Sequence, residues 1–142
     1  MNRNTTVQVS IPSKFGFEKI VAECALSVAK EMDFQFSKLE DLKTAIIEAC
    51  INAIEHGNKL NQKIQVHVTI TSMQNALIIE VKDSGHEPID ISYEPDIKKK
   101  IDGEEKPRGW GLFLIKKLMD EVEVHSSSES GNVLTFKLYC HH

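Results

Sequence analysis

The 142-residue chain is short of several things, and each shortage removes a class of function. Basic residues do not outnumber acidic ones: 17 Lys and Arg stand against 21 Asp and Glu, a formal net charge of -4. The positive footprint that most nucleic-acid binders present to phosphate is therefore missing, and no direct nucleic-acid partner is expected. The three cysteines, Cys24, Cys50 and Cys140, are odd in number and widely spaced, with no C-x-x-C pair of the zinc or thioredoxin kind, which fits a reducing cytosol. No apolar run approaches the ~18 to 20 residues that span a bilayer, and the first ten residues are polar, unlike a signal peptide. A soluble, cytoplasmic protein with no membrane partner is expected. No G-x-x-x-x-G-K-S/T run supports a P-loop, so any phosphate chemistry must use another fold. The chain is too short for a complete protein kinase or sensor kinase. A domain of this size nevertheless buries roughly 68% of its unfolded surface, enough for one core, and a single domain over residues 1–142 is expected.

What the chain does have is periodicity. Val7, Val9 and Ile11 alternate with Gln8 and Ser10, the period-two pattern of a half-buried strand, which Pro12 ends. From residue 13 to about residue 32, Phe17, Ile20, Val21, Cys24, Ala25 and Val28 recur at helical spacing. A second helix is expected to start at Ser37, which forms a capping box with Glu40, and to run to His56 before Gly57. Ile64, Val66, Val68 and Ile70, then Leu77, Ile79 and Val81, alternate with polar residues around a turn at residues 72–75 and read as a hairpin. That alternation puts His67 on the polar face, as a solvated histidine rather than a metal ligand.

Residues 84–109 lose periodicity and collect Gly85, Pro88, Pro95, Gly103, Pro107 and Gly109. Loops of this length tend to be functional, and a lid is expected here. Its Lys98-Lys99-Lys100 run is flanked by acids and reads as solvated. A third helix follows from Gly111, then strands near residues 122–126 and 133–139, with Gly131-Asn132 as the turn between them. The predicted fold is α+β, a two-layer α/β sandwich with a mixed, mostly antiparallel sheet covered on one face by helices.

Three segments carry possible chemistry. At about 100° per residue, Glu48, Asn52, Glu55 and His56 fall within an arc of roughly 100° on the second helix, opposite Ile46, Cys50, Ala53 and Ile54. A polar stripe is ordinarily a solvated helix face. An uncharged Asn between acids, with small Ala45 and Ala49 beside it, favours a ligand site in which a carboxylate acts as base one turn from an oxygen donor for Mg²⁺. Asp83-Ser84-Gly85 alone reads as an ordinary turn. Arg108-Gly109-Trp110-Gly111 opens a helix whose N-terminal N–H groups could approach phosphate, but it is not a Rossmann fingerprint.

In this order and context the three segments are far more specific than apart. Glu48-Ala49-Cys50-Ile51-Asn52-Ala53-Ile54-Glu55-His56-Gly57 matches an N box, Asp83-Ser84-Gly85 a first glycine box, and Arg108-Gly109-Trp110-Gly111-Leu112 with Leu118-Met119-Asp120-Glu121-Val122 a second. The chain resembles the GHKL superfamily, the Bergerat-fold ATP-binding domains of gyrase, MutL and histidine kinases, and most closely the bacterial anti-sigma-factor serine/threonine kinases. The resemblance implies ATP and Mg²⁺ as cofactors, with Asn52 as the Mg²⁺ ligand and Glu48 as the base toward a substrate serine. It implies Asp83 as the acceptor of the adenine amine with Gly85 beside the base, and Gly109, Gly111 and Leu112 in the phosphate loop. Arg108 would meet the γ-phosphate, Thr135 would sit near adenine on the final strand, and His56 would have a supporting position. The usual Asp-x-Gly-x-Gly lacks its second glycine here, because Gly85 is followed by His86-Glu87.

The function so implied is an anti-sigma regulatory factor. It would use MgATP to phosphorylate a serine on an anti-anti-sigma (STAS-type) protein, sequester a sigma factor by partner switching, and form a homodimer. The alternative is a non-catalytic module of the same fold that senses nucleotide or sequesters a partner. The catalytic domain of a histidine kinase fits less well, since only a dozen residues precede the first helix. With the ATP site laid out from Glu48 to Thr135 the chain is almost used up, so the phosphate acceptor is expected on another protein.

Overall fold

A computed structural model describes residues 4–92 and 109–141. Five strands, β1 (Thr5–Pro12), β2 (Gln65–Ser72), β3 (Ala76–Asp83), β4 (Glu121–Ser127) and β5 (Gly131–Tyr139), form one sheet in the order β1-β2-β3-β5-β4. All four pairings are antiparallel, so the expected parallel component is absent among the described residues. The reason is topological: β3 and β4 run the same way, but β5 returns between them and keeps them from pairing.

The helices α1 (Glu18–Lys30), α2 (Phe36–Asn52) and α3 (Gly109–Leu118) supply one buried face. Val21, Ala25 and Ala29 of α1, Leu42, Ile46 and Cys50 of α2, and Leu112 and Ile115 of α3 are buried. They join Val66, Val68, Ile70, Leu77, Ile79, Val81, Leu134, Phe136 and Leu138 of the sheet in one core. The period-two reading of the strands holds because each has one face in this core and one in water. On the wet face His67 is exposed and its Nδ1 lies 2.7 Å from Ser10 Oγ.

Four local expectations are corrected. α1 begins at Glu18 rather than residue 13, because Gly16, at φ 106, turns the chain and donates its N–H to the Glu18 carboxylate at 2.7 and 3.0 Å. The α2 N-terminus has no side-chain cap. Gln35 is the extended N-cap residue and its carbonyl accepts the N–H groups of Lys38 and Leu39 at 3.0 and 3.2 Å, which leaves Ser37 inside the first turn and its capping box unformed. α2 does reach Gly57, but its last turn, Ala53–Gly57, is a π-turn closed by Asn58 N–H on Ala53 O at 2.8 Å. The turn between β4 and β5 falls at residues 128–130, and Gly131 and Asn132 are already in β5.

Candidate functional site

The centre of the site is a carboxylate where the strand pattern calls for an apolar side chain. Asp83 ends β3 on the same face as Ile79 and Val81 and is 2% exposed. Its Oδ1 accepts the Gly85 N–H at 2.7 Å and the Asn132 Nδ2–H at 3.1 Å. Its Oδ2 accepts no hydrogen bond among the described residues, so a buried anion keeps one acceptor open.

Three glycines let the chain converge there. A Cβ on Gly57, at the end of the π-turn, would collide with the Asp83 carboxyl, and one on Gly85 would come 2.6 Å from the Gly57 carbonyl oxygen. Gly131 has φ +92, and its Cβ would strike the Asp83 carbonyl oxygen, so both its conformation and its surroundings require glycine.

Two buried asparagines brace this turn. Asn58 accepts the Ser84 N–H on Oδ1 at 2.7 Å and donates from Nδ2 to Ser13 Oγ at 2.9 Å and Gln65 O at 3.2 Å. Ser13 in turn donates to Ile64 O at 2.6 Å. The network ties the end of β1 and the start of β2 to the residue after Asp83. Asn132, 1% exposed, stands opposite Asp83 in the β3–β5 register and also donates to Glu87 O at 3.0 Å. The sequence pattern gave Asn58 no role and placed Asn132 in a turn. The available signal was the invasion of the β5 alternation by an Asn directly after a glycine.

The missing second glycine of the first glycine box is now accounted for. Among the described residues only Lys59 and Leu60 are non-glycine residues at positive φ, so Glu87 occupies its position without left-handed strain. The residues that follow Asp83 are strapped to β4, to the turn after it and to α3: His86 Nδ1 donates to Ser128 O at 2.9 Å, Ile89 N–H to Ser126 Oγ at 3.4 Å, and Lys116 Nζ to Ile91 O at 2.8 Å. Residues 84–92 of the expected lid therefore lie against the sheet and α3. The rest of it, residues 93–108, including Arg108 and the Lys98-Lys99-Lys100 run, lies outside the described residues.

The second half of the site lies where α2 meets α3. Gly111, buried near the start of α3, would put a Cβ 2.5 Å from Glu48 Oε2, so the absent side chain lets the carboxylate lie against the helix start. Gly109 is the first residue of α3. One turn beyond Glu48, Asn52 is 5% exposed, and its carboxamide has no hydrogen-bond partner among the described residues. A buried polar group left unpaired costs about 1–3 kcal/mol. That cost is a mark of a group kept for something other than the fold. Glu55 is exposed and lies 3.4 Å from His56 Nε2, so the polar stripe divides into an inner pair, Glu48 and Asn52, and an outer one.

Two expected site residues lie elsewhere. Leu112 is 2% exposed and belongs to the core. Thr135 pairs with Glu80 and Glu123 across the sheet and lines a shallow hollow with Ile78, Glu121, Glu123 and Lys137 on the uncovered face. The burial of Leu134, Phe136 and Leu138 forces Thr135 away from Asp83. Cys50 is buried and its thiol is pushed up to about 12, first by burial and then by the negative charge of Glu18. It stays protonated and is no nucleophile.

The donor set fits MgATP. Among the described residues no three His, Cys, Asp or Glu side chains group to hold a metal. A single carboxamide oxygen suits Mg²⁺, which keeps several waters and is usually held jointly by few protein oxygens and substrate phosphates. No helix is long and apolar enough to cross a membrane, among the described residues.

Known proteins resemble this chain over most of its length. The model of the histidine kinase-like ATPase domain matches residues 18–138. The serine-protein kinase RsbW of Bacillus velezensis is 32% identical over 131 residues, covering 86% of this chain and 79% of that protein. The protein of the same name from Bacillus subtilis is 29% identical over 136 residues, covering 89% of this chain and 82% of that one. The crystal structure of RsbU and RsbW domains from Mycobacterium tuberculosis superimposes with a TM-score of 0.67 at 18% identity, over 94% of this chain and 32% of that one. The catalytic domain of histidine kinase ThkA superimposes with a TM-score of 0.53 at 16% identity, over 94% of this chain and 97% of that one.

Proposed function

Because the chain belongs to the histidine kinase-like ATPase family and its relatives are RsbW serine-protein kinases, we propose that it binds MgATP between α2, α3 and the Asp83 turn. It then transfers the γ-phosphoryl group to a serine of a partner protein. The observation that carries this reading is a pair of open buried groups, the Asp83 Oδ2, with Gly57 and Gly85 packed about its carboxyl, and the Asn52 carboxamide, one turn from the Glu48 that lies against Gly111.

In this reading Asp83 Oδ2 accepts the exocyclic amine of adenine, and Gly57 and Gly85, having no side chains, let the chain close around that carboxylate. Asn52 holds Mg²⁺, which offsets the charge of the phosphate oxygens. Gly109 and Gly111 lie in the first turn of α3, and a helix N-terminus favours phosphate through its N–H groups and its dipole. Arg108, next in sequence to that helix, meets the γ-phosphate. Glu48 takes the proton of the serine hydroxyl as its oxygen attacks the γ-phosphorus, and the bond from that phosphorus to the β,γ-bridging oxygen breaks to release ADP. A positioned base of this kind contributes typically 10²- to 10⁴-fold, about 3–5 kcal/mol of barrier. The rest of the acceleration comes from alignment and charge stabilisation.

The acceptor is an anti-anti-sigma, STAS-type protein, and the second partner a sigma factor that the cytoplasmic protein, as a homodimer, holds or releases according to nucleotide and acceptor phosphorylation. Incubation with MgATP labelled at the γ-phosphate and a STAS-type acceptor should move label to an acceptor serine. Failure to bind ATP or ADP at millimolar concentration in calorimetry would overturn the proposal.

A further inference from the structure

Asn132 was assigned no role by sequence, yet its side chain bonds both the carboxylate of Asp83 and the backbone of Glu87 in the strap that follows it. Both acceptors it meets, Asp83 Oδ1 and Glu87 O, are oxygens. Its amide must therefore present both N–H bonds to them, one to each, which fixes the orientation of the carboxamide. Two consequences follow. The N–H···O⁻ bond, with that from Gly85, occupies Oδ1 and leaves Oδ2 as the acceptor. The bond to Glu87 O anchors the residue that stands at the missing second glycine.

We propose that Asn132 is a positioning residue for nucleobase selection, setting Asp83 so that the site takes a purine with an amino group at C6 and rejects one with a carbonyl there. This deepens the ATP reading and rests on it. A carbonyl oxygen facing Oδ2 would put two acceptors against each other in a buried site, where neither finds water. Without Asn132 the Asp83 carboxylate loses one of its two holding bonds and can turn, and the discrimination falls.

The test is calorimetric binding of ATP, inosine triphosphate, and purine riboside triphosphate, which lacks the C6 substituent, to the whole chain and to Asn132→Ala. Asn132→Ala should weaken ATP about tenfold, the size of one charge-assisted hydrogen bond, while purine riboside triphosphate changes by less than about twofold. Equal losses for both would overturn the positioning role, because a merely structural defect weakens every purine alike. Asn132→Asp, nearly isosteric, gives a second reading if the alanine variant does not fold. It removes both N–H donors and sets a second carboxyl beside Asp83, so the pair retains a proton and Asp83 no longer presents a fixed acceptor at Oδ2. The preference for ATP over inosine triphosphate should then fall by at least about tenfold, and an unchanged preference would overturn the inference. Failure of the unaltered chain to bind any of the three would instead overturn the ATP reading beneath it.

Discussion

Replacing Asn52 with leucine should make the empty protein more stable and the nucleotide-bound protein impossible. Asn52 is 5% exposed and its carboxamide has no partner among the described residues. It carries a desolvation cost of about 1–3 kcal/mol that leucine, similar in size, does not. Allowing about 1 kcal/mol for repacking, the net gain is on the order of 1 kcal/mol. A chain of 142 residues has an unfolding entropy near ~0.3 kcal/mol/K, so the melting temperature should rise by about 3 °C. With MgATP at a hundred times its dissociation constant, mass action adds about 2.7 kcal/mol to the unaltered protein, or roughly 9 °C. Asn52→Leu should show almost none of that shift. Differential scanning calorimetry of both proteins, with and without MgATP, reads all four values. A variant that melts well below the unaltered protein when empty would show that the carboxamide serves the fold. A variant that keeps the MgATP shift would show that it does not serve the metal.

Gly57→Ala puts a methyl against the carboxyl carbon and 2.7 Å from the Cβ of buried Asp83, so it should lower stability by about 1–3 kcal/mol in urea unfolding and weaken ATP binding by the folded variant at least about tenfold in calorimetry; unchanged affinity would contradict the placement of Asp83. Asn58→Ala removes three hydrogen bonds from a buried network and should cost about 2–4 kcal/mol in urea unfolding, with a cost near zero refuting the bracing role. The Cys50 thiol, raised from 9.0 to about 12, favours the folded state while neutral. Its contribution is complete below the unfolded pKa and is lost as pH rises toward the folded value, at up to about 1.4 kcal/mol per pH unit. Between pH 9 and pH 11 the unaltered protein should therefore lose stability more steeply than Cys50→Ala, and parallel slopes would refute the assignment.

Much of this was legible because it is local. Val66, Val68 and Ile70, like Leu77, Ile79 and Val81, declare their strands by alternation, since one face of the sheet is buried and the other is wet. Glu48 and Asn52 declare a pair by spacing alone. What was not legible depends on partners distant in sequence. Asn132 acquires its role from a register that sets it against Asp83, 49 residues earlier. Asn58 acquires its role from Ser13 and Ser84. The capping box at Ser37 failed because the Gln35 carbonyl opens the helix earlier. The misplacement of Thr135 was avoidable: Leu134, Phe136 and Leu138 already assign the odd positions of β5 to the other face.

The central claim is that Glu48, beside the start of α3 and one turn from Asn52, serves as the base in phosphoryl transfer to a serine of another protein. The measurement is mass-spectrometric mapping of phosphoserine on a STAS-type acceptor after incubation with MgATP and either the unaltered chain or Glu48→Gln, with nucleotide binding measured on both. The account predicts a phosphoserine with the unaltered chain and at least a hundredfold slower transfer with the variant, at similar ATP affinity. Transfer by Glu48→Gln at an undiminished rate would contradict it.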